Sequence, residues 1–321
     1  MGRLTLILMG WLLAALPAMA QSGSDVYPGR VVRLVVPYPP GGVNNTVARI
    51  LIDGLTPLWG HNVVIDNRPG ANGITGTNIV AKADRDGYTL GLVLATHVIN
   101  PLLYKKLPYN DSEIAAVSLV GEYPLLLVVH SGLKIFALSD FERVVRSQAG
   151  KFTFASSGNG SSPHLAIELL KERAGIELVH VPYKGGGIAI TDVAGGHVGA
   201  FFSSLLTARA MLQAGRIRAI ATTGRERSPA LPDIPAIAET YPGYSVTSWL
   251  GLIAPAGTKQ ERIRRVADDV VRVLQHGAVK DRLSENGVEP RGTSPSQFSA
   301  FLKSEREKFA KVVRSANVSL D

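Results

Sequence analysis

Short apolar runs rich in Val, Ile and Leu recur along this chain, each leading through a polar or glycine-bearing loop into a stretch whose apolar residues repeat at helical spacing. That alternation is the pattern of α/β layers. The runs that read as strands are 31–36, 63–66, 89–95, 125–129, 152–155, 178–181, 200–203, 218–222 and 248–254. Several are apolar almost without interruption, which predicts burial on both faces and mixed, mostly parallel sheets.

Helix-start signals fall between the runs. Ser139 with Glu142 and Thr258 with Glu261 fit the capping box, and Ser294 precedes Pro295 at a first helical position. The last two helical stretches carry apolar stripes, Ile263, Val266, Ala267, Val270, Val273 and Leu274 on one and Phe298, Phe301, Leu302, Phe309, Val312 and Val313 on the other. No long Gly/Ser linker divides the 321 residues, although that length suggests roughly two domains. The chain is therefore expected to cross between two lobes on extended segments, outward at 125–129 and back along the proline-bearing 228–242. This assigns 21–127 and 228–321 to a discontinuous lobe 1 and 128–227 to lobe 2.

Residues 1–20 read as an address. Arg3 gives a basic start, an uncharged apolar stretch follows, and Ala18-Met19-Ala20 closes it with small residues, so a secretory signal peptide cut before Gln21 is expected. An uncleaved anchor is the rival, but the stretch is short of the usual ~20-residue span and holds Pro17. The chain has no cysteine, which excludes a disulfide scaffold, thiolate metal sites and a lipidated cysteine anchor. These features predict a free monomeric protein of the bacterial periplasm.

Lys and Arg number 34 against 26 Asp and Glu, a formal net charge of +8. The basic residues are thinly spread, Arg262, Arg264 and Arg265 sit on an exposed helical side, and no stacking aromatic motif accompanies them, so no nucleic-acid partner is expected. The seven histidines show no metal spacing, and neither a metal nor a cofactor is expected.

Chemistry concentrates in the loops. Tyr38-Pro39-Pro40-Gly41-Gly42-Val43-Asn44-Asn45 leaves the first strand and enters a helix, where unpaired backbone N–H groups favour an anion. A plain tight turn capped by Asn explains the same residues. Ser156-Ser157-Gly158-Asn159-Gly160-Ser161-Ser162-Pro163-His164 repeats the arrangement, with Ser162 read as the cap and Pro163 as the first helical residue. Its hydroxyls, amide and glycines suit a polar ligand as well as a turn. A third cluster contains Tyr183, Lys184 and three glycines; Lys184 is an anion partner or a solvated surface group. A fourth, from Arg68 to Gly76, spaces its glycines three apart and fails the dinucleotide pattern. Two loops of this kind facing each other would hold a carboxylate without any Arg.

In order, Leu34 to Gly42, Asp66 to Gly73, Asp86 to Leu90, Ser157 to Ser161, His180 to Gly185, Leu231 to Pro235, Trp249 to Leu252 and Ala254 to Thr258 resemble the Bug family of periplasmic solute receptors. These are the substrate-binding components of tripartite tricarboxylate transporters. The resemblance implies a two-lobed periplasmic-binding-protein fold of type II-like build that closes on a small carboxylate. Its partners would be membrane permease subunits, or a sensor kinase if the receptor signals. It places ligand contacts at Pro40, Gly41 and Gly42 on one side and at Ser157, Asn159, Gly160 and Ser161 on the other; Tyr38 and Asn45 are added from the first loop and His164 from the first turn of the helix beside the second. Tyr183 and Lys184 are added from the third cluster, and His97 and Asn100 from Ala95 to Pro101. Departures occur at Asn45, Ile188 and Gly199, where the family commonly has Asp, Pro and Asp. Loss of the acid at Asn45 would favour a more anionic ligand.

The enzyme alternative is a serine hydrolase with Ser161 as nucleophile and His164 as base. It lacks a visible third orienting group and a G-x-S-x-G elbow, and Ser131 to Lys134 matches S-x-x-K without its companion motifs.

Overall fold

The computed structural model describes residues 27–148 and 150–315. The segment read as a signal peptide lies outside the described residues. The chain runs β1 (Val32–Val36), α1 (Val43–Trp59), β2 (Val63–Asn67), α2 (Ile74–Ala81), β3 (Thr89–Leu94), α3 (Thr96–Leu103) and β4 (Ile114–Pro124). It continues through β5 (Leu126–His130), α4 (Leu138–Ser147), β6 (Thr153–Ser156), α5 (Ser162–Ala174), β7 (Val179–Pro182), α6 (Gly186–Gly195), β8 (Ala200–Ser203), α7 (Leu205–Gln213) and β9 (Ile217–Thr222). The last elements are β10 (Thr247–Pro255), α8 (Gln260–Gln275), α9 (Gly277–Glu285), β11 (Glu289–Pro290) and α10 (Pro295–Ser315).

Two mixed sheets organise these elements. A six-stranded sheet has the order β11-β4-β10-β3-β1-β2, and a five-stranded sheet has the order β7-β6-β8-β5-β9. Each has a parallel half, β2-β1-β3 in one and β7-β6-β8 in the other. β10 runs against β3 and β4, and β5 against β8 and β9. The parallel halves are the near-continuous apolar runs seen in the sequence; the antiparallel strands carry the chain between sheets. β4, the longest strand, has no counterpart among the expected ones. Its residues, IAAVSLVGEYP, are small or polar over much of their length, and where β11 pairs with it a Cβ on Gly121 would stand 2.8 Å from Val288 Cγ1.

The predicted stripes are core faces. All six stripe residues of α8 are buried, as are Phe298 and Phe309 of α10. Trp249 on β10 meets Phe298 and Phe301 edge to face, and its indole N–H donates to the buried Glu305 carboxylate at 3.0 Å. Three cap assignments differ. Asp140 accepts from Phe136 N–H ahead of α4, Thr258 turns its hydroxyl to the Pro255 carbonyl, and Ser161, not Ser162, is the extended residue before α5. Ser294 does form the reciprocal pair with Gln297.

The chain leaves the larger sheet after Pro124 and returns between Thr222 and Thr247. Buried Thr223 fastens both passes. Its amide donates to the Leu125 carbonyl at 2.9 Å and its carbonyl accepts from Val246 at 3.0 Å. Its hydroxyl accepts from Leu125 N–H at 2.8 Å and donates to the Val246 carbonyl at 2.6 Å. Thr223→Val keeps the shape and strands two buried backbone groups. Urea unfolding should show a loss of about 2 kcal/mol; an unchanged midpoint would show that the hydroxyl fastens nothing.

Candidate functional site

Every parallel strand delivers its following loop to the same edge of its sheet, and the carboxyl edges of the two parallel halves face one cleft. The N-termini of α1, α3, α5, α6 and α7 reach it through Gly42 to Asn44, Thr96, Ser161 to Pro163, Gly185 to Ile188 and Ser204. First-turn amides have no acceptor within their own helix, so these termini bring partial positive charge to one space. Tyr38, Pro40, Asn72, Tyr123, Ser157, Phe201, Ser203, Thr207 and Ser248 complete the wall. No lining residue carries a formal charge at neutral pH. The space between the walls is ≈ 70 Å³, about five water positions, which suits a small molecule.

The walls touch. A Cβ on Gly187 would stand 3.2 Å from the Gly41 carbonyl, and one on Gly185 would stand 2.9 Å from Pro39 Cγ. Gly41 itself has φ +88, a conformation that favours glycine. Deeper in, Ser162 Oγ donates to Ser248 Oγ at 3.3 Å, and Ser248 also bonds the buried Tyr123. At the mouth, Asn72 Nδ2 donates to the Asn159 carbonyl at 3.1 Å. The cleft is shut.

Tyr38, Pro40, Gly42, Ser157 and Ser161, all expected from sequence, line the space. Tyr38 hydrogen-bonds Thr96 through their hydroxyls. Ser161 stands out: it is 2 % exposed, and its hydroxyl has no partner although α5 begins directly behind it. Gly41, Asn159, Gly160 and His164 belong to the two facing loops but are not lining groups. The Gly160 N–H is withdrawn from the cleft, because it donates to His164 Nδ1 at 3.0 Å.

Five further residues expected at the site do not line the space. Asn45 Nδ2 donates to Asn67, and Asn45 Oδ1 accepts from Arg49 Nε, so the charge argument at this position acts from outside the space. Tyr183 donates to Asp192 at 2.7 Å, and burial with that carboxylate pushes its phenol up to about 12. Lys184 is exposed. Asn100 donates to the Asn72 carbonyl at 3.2 Å and so supports a lining residue without being one. His97 is buried on α3 with Nδ1 unpartnered, outside the lining.

Ser161 Oγ without a partner has no base, and His164 uses Nδ1 on Gly160 while its ring stacks on His180 at 4.0 Å. The serine–histidine pairing of the hydrolase reading is therefore not formed. Among the described residues, no group of three or more His, Asp or Glu is placed to hold a metal ion, and no helix is long and apolar enough to cross a membrane.

Sequence reasoning missed Asn72, Thr96, Tyr123, Ser204, Thr207 and Ser248. Ser204 had a readable signal, a strand followed by Ser-x-x-Thr, and its hydroxyl accepts from Thr207 N–H at 3.1 Å. Tyr123 and Ser248 sit on strands with no local motif. Of the departures, Ile188 lies at the mouth and is 49 % exposed. At Gly199 a Cβ would stand 2.5 Å from Phe152 Cζ, so that ring demands the glycine.

Residues 47–318 match the family described as tripartite tricarboxylate transporter family receptor. The chain belongs to that family. It is 33% identical over 319 residues to protein BugT of Bordetella pertussis, covering 98% of each chain. It resembles the structure of R. palustris Rpa4515 with adipate at a TM-score of 0.89 and 33% identity, covering 91% of this chain and 99% of the other. The corresponding values for MatC from Rhodopseudomonas palustris with bound malate are 0.83 and 30%, with 89% and 100% covered. The α/β fold is that of periplasmic binding proteins, as expected.

Burial lowers the imidazoles of His97, His164 and His180 to about 4, with nearby cationic groups adding to the effect. The unfolded chain takes up protons at these sites from about pH 6.5 downward while the folded chain does not, so stability falls as pH drops from there towards 4. For fully buried His97 the shift corresponds to about 3 kcal/mol. Urea unfolding at about pH 7 and pH 4.5 should show a fall that is shallower by about 2 kcal/mol in His97→Leu; identical slopes would remove His97 as a cause.

Proposed function

We propose that this protein is an extracytoplasmic receptor that captures a small organic acid as its carboxylate and hands it to the membrane subunits of a tripartite transporter. The unpartnered Ser161 hydroxyl, buried in an uncharged cleft, carries this reading. A hydroxyl so placed costs free energy until a ligand oxygen meets it. Helix N-termini around it favour an anion, and adipate and malate bound in two related structures support a carboxylate. Binding without turnover is part of the same reading.

Residues 21–127 with 228–321 and residues 128–227 act as the two lobes, hinged beside Thr223. A ligand stabilises the shut form to the extent that it touches both walls. Residues 1–20 direct export and are removed, and the protein works as a monomer in the periplasm without a cofactor.

A thermal-shift screen of mono-, di- and tricarboxylates tests the proposal. A bound acid at a hundredfold excess over its Kd adds about 2.7 kcal/mol of apparent stability. Ser161→Ala should weaken that acid about tenfold, one hydrogen bond to a charged group, and raise the unliganded melting temperature, because the unmet hydroxyl is no longer buried. No shift with any acid would refute the carboxylate reading, and turnover of the acid would refute the receptor.

A further inference from the structure

The peptide joining Asn159 to Gly160 is hydrogen-bonded at both polar ends. Its carbonyl accepts from Asn72 Nδ2 at 3.1 Å, and its N–H donates to His164 Nδ1 at 3.0 Å. Asn72 stands in the loop between β2 and α2, on the opposite wall, whereas His164 is in the first turn of α5. Each partner is itself held. Asn72 Nδ2 also donates to Asn100 Oδ1 at 3.3 Å, and Asn100 Nδ2 returns a bond to the Asn72 carbonyl at 3.2 Å. The His164 ring lies on His180, with 11° between planes, and His180 Nε2 meets Ser156 Oγ at 2.6 Å. Ser156 Oγ accepts in turn from Gly158 N–H at 3.2 Å.

Local sterics do not fix this peptide plane. On its Gly160 side φ is +72, and glycine passes between conformations there at little cost, so the turn leaves the plane weakly held. Within the loop the Ser161 N–H donates to the Gly158 carbonyl at 3.1 Å and closes the turn, while the two polar ends of the peptide itself are held by Asn72 and His164. Burial and Lys171 keep His164 unprotonated, which leaves Nδ1 an acceptor.

We propose that Asn72 and His164 clamp the Asn159–Gly160 peptide from opposite sides, and that this clamp places the adjoining Ser161 hydroxyl in the cleft. Shutting the cleft and setting the binding loop are then coupled, because opening it removes the Asn72 bond and leaves the plane held by His164 alone. Asn72 and His164 are positioning residues. Their consequence for binding rests on Ser161 being a ligand contact, as proposed above, while the clamp itself is measurable without a ligand.

The test is amide hydrogen exchange at Gly160 in the ligand-free protein. His164→Leu should speed it about fivefold, the worth of one ordinary hydrogen bond. His164→Asn, whose Oδ1 can occupy the place of Nδ1, should restore it to within about twofold. Asn72→Ala touches only the carbonyl, yet should also speed Gly160 exchange about fivefold. Unchanged Gly160 exchange in a folded Asn72→Ala protein would overturn the clamp, as would His164→Asn behaving like His164→Leu. If His164→Leu does not fold, Asn72→Ala and His164→Asn decide alone. Malate and adipate are the binding probes: a clamp that works should make Asn72→Ala bind the better probe about fivefold more weakly, and equal affinity would overturn its role in binding. Failure of both probes on the unaltered chain would count against the carboxylate reading and leave the exchange result to judge the clamp.

Discussion

Unpaired amides at helix N-termini are the constraint on which this molecule turns. In a parallel strand–helix arrangement every helix begins on the carboxyl edge of its sheet, and its first-turn N–H groups have no partner within the helix. Here β1, β3, β6, β7 and β8 each deliver such a terminus, and the two parallel halves aim them at one another. Termini facing one another in this way bring many donors together against few acceptors. The short loops and small residues along its walls, Gly42, Ser161, Ser162, Gly185 to Gly187, Ser203 and Ser204, let the backbone itself form the surface. The site is thus a product of topology first and of side chains second.

The absence of formal charge from that wall has an energetic logic. An arginine opposite a buried carboxylate would have to lose its own hydration before pairing, a cost of several kcal/mol per ion. Oriented amides and hydroxyls are fixed by the fold and are desolvated once, when the chain folds. They stabilise an anion with less reorganisation, and they do not hold it so firmly that release requires breaking an ion pair. Thr223 matters here for a different reason. One threonine's backbone and hydroxyl join the two chain passes that run between the sheets.

Much of this was legible in the sequence because local physics and global fold agree along the parallel strands. Apolar runs buried on both faces are hard to mistake, and the loops that follow them announce themselves by Gly, Ser and Pro. β4 escaped because a strand packed among neighbours can be built from Ala, Ser and Gly, which carry little strand signal. The site was readable in the same unequal way. Ser161 and Gly42 follow strands and precede helices, so their placement is dictated locally. Asn72, Tyr123 and Ser248 enter the wall only through tertiary contacts from segments without a motif. Asn45, Tyr183 and Lys184 lie in the expected loops, but a loop residue has two sides, and Asn67, Asp192 and solvent claimed theirs.

The fate of Asn100 and His164 extends this point. Both read as ligand contacts because polar side chains near a cleft suggest contact. Both instead bond to backbone or to another side chain one step behind the wall. In a site whose binding groups are mainly backbone, the side chains with most influence need not touch the ligand at all. They determine which way a peptide faces, and a peptide that ends on a glycine, as the one from Asn159 to Gly160 does, is held only weakly by local sterics. Substitutions behind the wall should therefore tune this kind of receptor as strongly as substitutions in it, and two relatives with identical lining residues can differ in affinity through the bonds that hold their loops.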